Sequence, residues 1–207
     1  MKLIKTNTYF IKAIVCSLLL FLFYDISYAQ NKITFDKLTV EDGLSQTSIV
    51  SITQDSMGFM WFGSKDGLNR YDSRHFEVFK NIKNDEFSLS ASQNINALLT
   101  DKKGNIWVGT QKGLNQYIAE TKTFKRYLNI PNNNKSLSNN TIRCLYQDDK
   151  ENIWVGTENG LNKLNPDGSF ERFFCKDAKW NKLINPLIKA IYQDKNRNIW
   201  VGSQAGL

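Results

Sequence analysis

The sequence predicts an all-β chain built as β-propeller blades of four antiparallel strands, and three observations carry that prediction. One motif returns four times at a spacing of 46 or 47 residues, with Trp61, Trp107, Trp154 and Trp200 and Gly67, Gly113, Gly160 and Gly206 in register. Each copy holds several short β-branched or aromatic runs bounded by turn residues. After the N-terminus no stretch shows the sustained period of roughly 3.6 residues that marks an amphipathic helix. Four short strands recurring about every 40–50 residues is the period of a propeller blade.

The first element is the N-terminus. Lys2, Lys5 and Lys12 precede an unbroken apolar or small run from Ala13 to Tyr24, and Ser27-Tyr28-Ala29 puts small residues at the two positions a signal peptidase reads. The run is shorter than the about 20 residues that span a bilayer, so residues 1–29 read as a cleaved export signal. Cys16 lies inside the run rather than after it, unlike a lipidated cysteine. Membrane contact is then expected only through this signal or through parts outside the chain. The remainder, 30–207, reads as a partial propeller with repeats near 44–80, 90–128, 137–174 and 184–207.

Within a repeat the first strand is expected at 49–54, 95–100, 142–147 and 188–193, each stopped by an aspartate. Its third position is small in every copy (Ser51, Ala97, Cys144, Ala190), which suits an innermost strand where blades crowd an axis and makes Cys144 a packing residue. A tight turn follows, with Asp55 and Gly58, then Asp101 and Gly104, supplying an acceptor and a residue able to take positive φ. Glu151 and Arg197 hold the glycine position in the later copies, so those turns are expected to relax or to be strained. The Trp-x-Gly segment is the second strand, its tryptophan filling space between adjacent blades. Gly67-Leu68-Asn69 opens the third, and 76–79, 124–127 and 170–173 mark the fourth. The 178 residues after the signal make just under four blades, with the fourth lacking its third strand. This points to a fragment of a larger propeller, with apolar faces uncovered at both ends and a tendency to self-associate. Residues 33–38, whose Phe-x-x-Leu spacing matches Phe76-x-x-Phe79, read as a candidate outer strand.

Charge and chemistry exclude several functions. The whole chain carries 27 basic and 20 acidic side chains, net +7, and 24 and 19, net +5, once residues 1–29 are set aside. The charges are interspersed without a block of one sign, which is a solvated surface and not a nucleic-acid footprint. His75 is the sole histidine, without the partners that metal or base chemistry needs. The repeating Asp55, Asp101, Asp148 and Asp194 read as turn caps rather than calcium ligands. The aspartate-turn-Trp pattern faintly resembles the Asp-box of sialidase propellers, yet no trio of arginines stands ready for a substrate carboxylate. Phosphate loops, Gly-x-Ser-x-Gly elbows and Cys-x-x-Cys pairs are missing from the sequence. Neither a cofactor nor a metal nor a catalytic residue is expected.

The motif Asp-x-x-Gly-x-Ile-Trp-Val-Gly-Thr-x-x-Gly-Leu-Asn, with a Leu-Ser-x-x-x-Ile lead-in such as Leu137-Ser138-Asn139-Asn140-Thr141-Ile142, resembles the two-component regulator propeller repeat. The stretch Phe35-Asp36-Lys37-Leu38-Thr39-Val40-Glu41-Asp42-Gly43-Leu44-Ser45 resembles the way such sensors begin after their signal peptide. The resemblance covers about residues 33–207. It implies the N-terminal part of a periplasmic sensor of a hybrid two-component system of Bacteroidetes. It further implies a response to glycans, homodimerisation in the full-length relative, and signalling to a histidine kinase outside this chain. The alternatives are a stand-alone secreted or periplasmic binding or scaffold protein and, less favoured, a propeller glycan lyase or hydrolase.

Recurrent residues serve the repeat, so candidates for recognition are those that differ between copies and sit on loops held by a rigid scaffold. The loops between second and third strands offer Lys65, Lys112 and Glu158, and the second column of the first strand, Val50, Asn96, Arg143 and Lys189, varies and becomes polar. Trp180 breaks the repeat and could stack on a sugar ring. Asn96, Arg143, Lys189 and Trp180, supported by Lys65, Lys112 and Glu158, therefore form the candidate ligand set, with an oligosaccharide as the implied partner.

Overall fold

A computed structural model describes residues 33–173 and 187–206. Residues 1–29, read above as an export signal, and Cys175 and Trp180 lie outside the described residues. The chain divides after Lys37, and every strand belongs to the unit that begins at Leu38. Among the described residues the structure is all-β: three four-stranded antiparallel sheets and a two-stranded one, each with strands in chain order. Blade 1 comprises β1 (Ile49–Gln54), β2 (Met60–Ser64), β3 (Gly67–Tyr71) and β4 (Phe76–Phe79). Blade 2 comprises β5 (Ala97–Thr100), β6 (Ile106–Thr110), β7 (Gly113–Ile118) and β8 (Thr123–Tyr127). Blade 3 comprises β9 (Ile142–Gln147), β10 (Ile153–Thr157), β11 (Gly160–Leu164) and β12 (Phe170–Phe173), and blade 4 shows β13 (Ile188–Gln193) and β14 (Ile199–Ser203).

Two expectations are corrected. Residues 33–38 form no strand, and Ile33 and Phe35 are 78% and 91% exposed. A strand needs a ladder partner; here the chain instead enters a short 3-10 helix, Val40–Asp42, capped by Thr39 and ended by Gly43 at φ 102°. The first strand of blade 2 starts at Ala97 rather than Ile95. Asn94 takes φ 53°, and the Ile95 N–H donates to Ser64 O of blade 1 at 3.0 Å, which draws this end off its own sheet.

The blades join through a repeated fit. The first strands of successive blades lie against one another, and each second strand lies against the next blade's first strand. The glycine of Trp-x-Gly is the seat: a Cβ on Gly63, Gly109 or Gly156 would lie 2.7, 2.6 or 2.8 Å from the Cγ2 of Ile95, Ile142 or Ile188 in the following blade. All three isoleucines are fully buried, each contributing about 1.5–3 kcal/mol by leaving water. Around each seat grows an interblade core. Trp61 and Leu68 pack with Ile95, Val108, Tyr117 and Phe124, and Trp107 and Leu114 pack with Leu137, Ile142, Val155 and Phe170. Trp61, Trp107 and Trp154 thus fill space between blades, and Cys144 packs beside the Gly156 seat.

Each hairpin turn is tied to its own tryptophan. Asp55, Asp101, Asp148 and Asp194 accept the indole N–H of Trp61, Trp107, Trp154 and Trp200 at 2.8, 2.8, 2.8 and 2.9 Å. Their other carboxylate oxygen accepts backbone N–H groups of the turn, as from Met57 and Phe59 to Asp55. The turn glycines Gly58 and Gly104 take φ 91° and 85°, and Glu151 and Arg197 adopt the same left-handed conformation at 64° and 68°, so these two turns are strained rather than relaxed.

A second clasp uses the asparagine of Gly-Leu-Asn. Asn69, Asn115 and Asn162 are fully buried. Their Oδ1 accepts the backbone N–H of Ser45, Ser90 and Ser138 at 2.8, 2.9 and 2.8 Å, while Nδ2 donates to the second-strand carbonyls of Phe62, Val108 and Val155. The Leu-Ser lead-in is thereby fastened over its own blade.

Candidate functional site

Antiparallel order puts the turns after first and third strands at one end of the blades, and the turns after second strands with the lead-in loops at the other. The described candidates for ligand recognition sit at the second end. Lys65 and Lys112 are exposed in the β2–β3 and β6–β7 turns, and Glu158 is half-buried in the β10–β11 turn. Lys112 lines a depression of about 290 Å³ between blades 1 and 2, with Asp66, Asn81, Gln93 and Gln111.

The variable column of the first strand has a structural cause. The ladder register shifts between Ile49 and Ser51, and between Ile188 and Ala190; in blade 3, Thr157 pairs with Ile142 while Gly156 pairs with Cys144. Val50, Arg143 and Lys189 are therefore bulged residues without a ladder partner, a feature that re-aims side chains at strand ends. Arg143 forms an ion pair with Glu158 in its own blade, so two candidates are brought together. Lys189 is exposed. Asn96 is engaged in a joint, its Nδ2 donating to Ile142 O of blade 3 at 2.7 Å.

A larger cleft, about 450 Å³, lies at the opposite end between blades 2 and 3 and is lined by Asn105, Gln116, Lys125, Tyr127, Asn152 and Asn165 among others. It was not anticipated, although a sequence signal exists. Blades 1 and 3 carry the cross-strand ion pairs Arg70–Glu77 and Lys163–Glu171 at 2.6 Å each. In blade 2 the same paired positions are Gln116 and Lys125, and Lys125 sits 5.0 Å from the Tyr127 ring centroid instead. Tyr127 donates to Gln116 Oε1, Gln116 Nε2 to Asn105 Oδ1, and Asn105 Nδ2 to Asp101 Oδ2 at 3.1, 3.2 and 2.8 Å. The polar wall of this cleft is thus largely satisfied from within.

Titration behaviour follows from these partners. The indole of Trp200 and the amide of Asn198 hold Asp194 down to about 2. Burial disfavours the Asp148 carboxylate, yet donors from Asn152 and Trp154 outweigh it and keep its pKa below the ordinary value. Burial raises the Cys144 thiol to about 12, which removes it as a nucleophile. His75, with its side chain 82% exposed, has Asp72 at 3.7 Å as its acidic neighbour. Among the described residues no group of three or more His, Cys, Asp or Glu could hold a metal ion.

The family signature described as "Two component regulator propeller" matches residues 43–66, 88–112, 136–159 and 182–205, one match per blade. The chain is built of two-component regulator propeller repeats. Two solved structures described as extracellular domains of hybrid two component systems of Bacteroides thetaiotaomicron share the fold. One has a TM-score of 0.67 and 26% identity over 81% of this chain and 29% of its own. The other has a TM-score of 0.65 and 28% identity over 83% of this chain and 22% of its own. Histidine kinase P4 of Formosa agariphila is 44% identical over 78 residues, which are 37% of this chain and 6% of the kinase. Virginiamycin B lyase of Staphylococcus aureus, 12% identical with a TM-score of 0.55, shares the fold alone. The chain spans less than a third of the two hybrid-system domains and of the kinase. The described residues are propeller blades and hold no kinase module. Among the described residues no helix is long and apolar enough to cross a membrane.

Proposed function

We propose that this chain is the ligand-sensing propeller segment of an exported hybrid two-component sensor, which binds a glycan and signals to a histidine kinase outside residues 1–207. The observation that supports the reading most directly is the repeat match in every blade, together with the likeness to extracellular domains of hybrid two component systems. Residues 1–29 act as the export signal, placing the blades in the periplasm.

Recognition falls to the end that carries the second-strand turns and lead-in loops. Arg143 and Lys189 stand on bulges there, and Lys65, Lys112 and Glu158 lie in the adjoining turns. Charged and amide side chains of this kind hydrogen-bond hydroxyl-rich ligands, and Trp180 supplies an apolar face for a sugar ring. Asn96 supports the set by fixing the joint between blades 2 and 3.

The test is calorimetry of the protein containing this segment and the rest of its ectodomain against a panel of oligosaccharides, with Arg143→Ala, Lys189→Ala and Trp180→Ala. Binding lost in these variants at unchanged unfolding midpoint supports the site. Unchanged affinity in all three removes it. N-terminal sequencing of the exported protein is expected to begin at Gln30, and an intact Met1 would overturn the signal assignment.

A further inference from the structure

The cleft of about 450 Å³ between blades 2 and 3 lies where the corresponding joint between blades 1 and 2 is filled. In that filled joint Arg70 lies over the rings of Phe59 and Trp61, at 4.7 and 5.7 Å. Glu77 accepts from Arg70 at 2.6 Å and from Lys122, which reaches over from blade 2, at 2.7 Å. One blade on, Asn105 stands for Phe59, Gln116 for Arg70, Lys125 for Glu77 and Gly168 for Lys122. Lys122 and Gly168 share the left-handed position of the turn between third and fourth strands, at φ 56° and 85°, so the correspondence holds in the backbone as well. Shorter side chains and a glycine thus leave this joint open.

The exchange also puts an ammonium in the place of an acid. Lys125 faces the neutral Gln116 across the strand pair and Gly168 across the joint, and its Nζ rests 5.0 Å from the Tyr127 ring centroid; among the described residues no carboxylate pairs with it. Acceptors line the same space from blade 3. Asn152 and Asn165 donate through Nδ2 to Asp148 Oδ2 and Ser169 Oγ, and among the described residues each leaves its Oδ1 without a donor. The acids of the lining are engaged: Asp101 holds the Trp107 indole and the Asn105 amide, Glu151 pairs with Lys103 at 3.8 Å, and Asp167 accepts from Ser169.

We infer that this cleft binds a small hydroxylated carboxylate, of the sugar-acid class, with its carboxylate on Lys125 and its hydroxyls donating to Asn152 Oδ1 and Asn165 Oδ1. The ligand's carboxylate supplies the opposite charge that the same strand pair holds internally in blades 1 and 3. A hydrogen bond between ammonium and carboxylate is among the stronger single contacts, the more so between walls that restrict water. Amide oxygens only accept, and two neutral ones suit hydroxyls better than an ammonium group, for which a carboxylate is the stronger partner. The volume lies within the about 300–1,000 Å³ of small-molecule clefts. This site is at the opposite end of the blades from the turns assigned to glycan recognition and does not rest on that assignment.

Calorimetry of the protein containing this segment and the rest of its ectodomain tests this, with D-gluconate and D-glucuronate as probes. At least one of the two is expected to bind, and D-glucose, without the carboxylate, and acetate, without the hydroxyls, to bind roughly tenfold or more weakly than it does. Lys125→Gln and the double variant Asn152→Ala, Asn165→Ala are each expected to weaken the sugar acid by a similar factor, whereas Lys125→Arg, which keeps the cation, retains it. The unfolding midpoint of Lys125→Gln is expected to match the wild type's, since this side chain is exposed and carries no ion pair. Absence of binding by both sugar acids overturns the proposal, as does acetate binding as tightly as they do or affinity untouched by Lys125→Gln. Binding that survives Lys125→Gln and is lost in Arg143→Ala belongs to the other end of the blades, which overturns this site and leaves the glycan reading standing.

Discussion

Gly109 and Ile142, on neighbouring blades, meet so closely that a Cβ on the glycine would lie 2.6 Å from Ile142 Cγ2. Gly109→Ala is therefore an overpacking substitution at a buried joint and is expected to cost about 1–3 kcal/mol. Gly202→Ala, at the equivalent position of blade 4 with its nearest neighbour at 3.6 Å, is the matched control. Chemical denaturation is expected to show a lower midpoint for the first, and little change for the second in dilute solution.

The Asp194 carboxylate gives the acid limb of stability a definite window. Its pKa is lowered from 3.8 to about 2 by the Trp200 indole and the Asn198 amide. A depressed native pKa means that its contribution is complete above the unfolded value, near 3.8, and drains away as pH falls through about 2. Asp194→Asn keeps an acceptor for the indole but has no proton to gain. Its unfolding midpoint is expected to fall less steeply than the wild type's over that window, and an identical slope would exclude this carboxylate as a source of acid sensitivity.

Asn162 occupies a buried site where both ends of its amide are used, accepting from Ser138 N and donating to Val155 O at 2.8 and 3.2 Å. Asn162→Ala leaves these groups without partners away from water, at a cost of about 1–3 kcal/mol. Hydrogen exchange reads the local effect: the Ser138 amide is expected to lose protection before the strands of blade 3 do.

Glu151 carries left-handed strain at φ 64° in a turn where blades 1 and 2 use glycine. Its side chain has only an exposed ion pair with Lys103 at 3.8 Å to lose. Glu151→Gly is expected to stabilise the chain by about 0.5–1 kcal/mol, since the left-handed penalty exceeds the extra chain entropy of glycine. A lowered unfolding midpoint would show that the ion pair outweighs the strain.

Cys144 is expected to resist alkylation in the native state, because its thiol titrates at about 12 behind the blade 3 and blade 4 joint. Peptide mapping after iodoacetamide treatment reads this residue separately from Cys16 and Cys175. Labelling at Cys144 should appear only in denaturant, and rapid native labelling would show that this joint opens.

Much of the fold was legible because recurrence marks what every blade needs. The period locates the blades, the small column identifies the inner strand, and an aspartate at each hairpin entry marks a turn cap, although its tie to the indole needs the fold. What recurrence does not reveal is which recurrent residues meet. The serine of Leu-Ser and the asparagine of Gly-Leu-Asn lie 24 residues apart, and their bond is seen only once the lead-in folds over the blade. The same limit hid the Ile-to-Gly joint, in which Gly109 and Ile142 lie far apart in the chain. In the candidate site, variation between copies points to Arg143 and Lys189, in one column with Val50, but only the ladder shows that these three are bulged. Asn96 varies too, and the structure gives it work in a joint. The cleft beside Gln116 and Lys125 was missed because a lost ion pair is conspicuous only against the partners that blades 1 and 3 retain.

The bulge separates two demands that an inner strand would otherwise impose on the same residues. One position before it, an isoleucine is held to a single shape by the preceding blade's glycine; one position after it, only a small side chain fits. The bulged residue between them answers to neither neighbour. The chemistry at positions 50, 143 and 189 can therefore change while the isoleucine and the small residue that flank each of them keep their places in the joint. Valine, arginine and lysine at 50, 143 and 189 are three such chemistries on one scaffold.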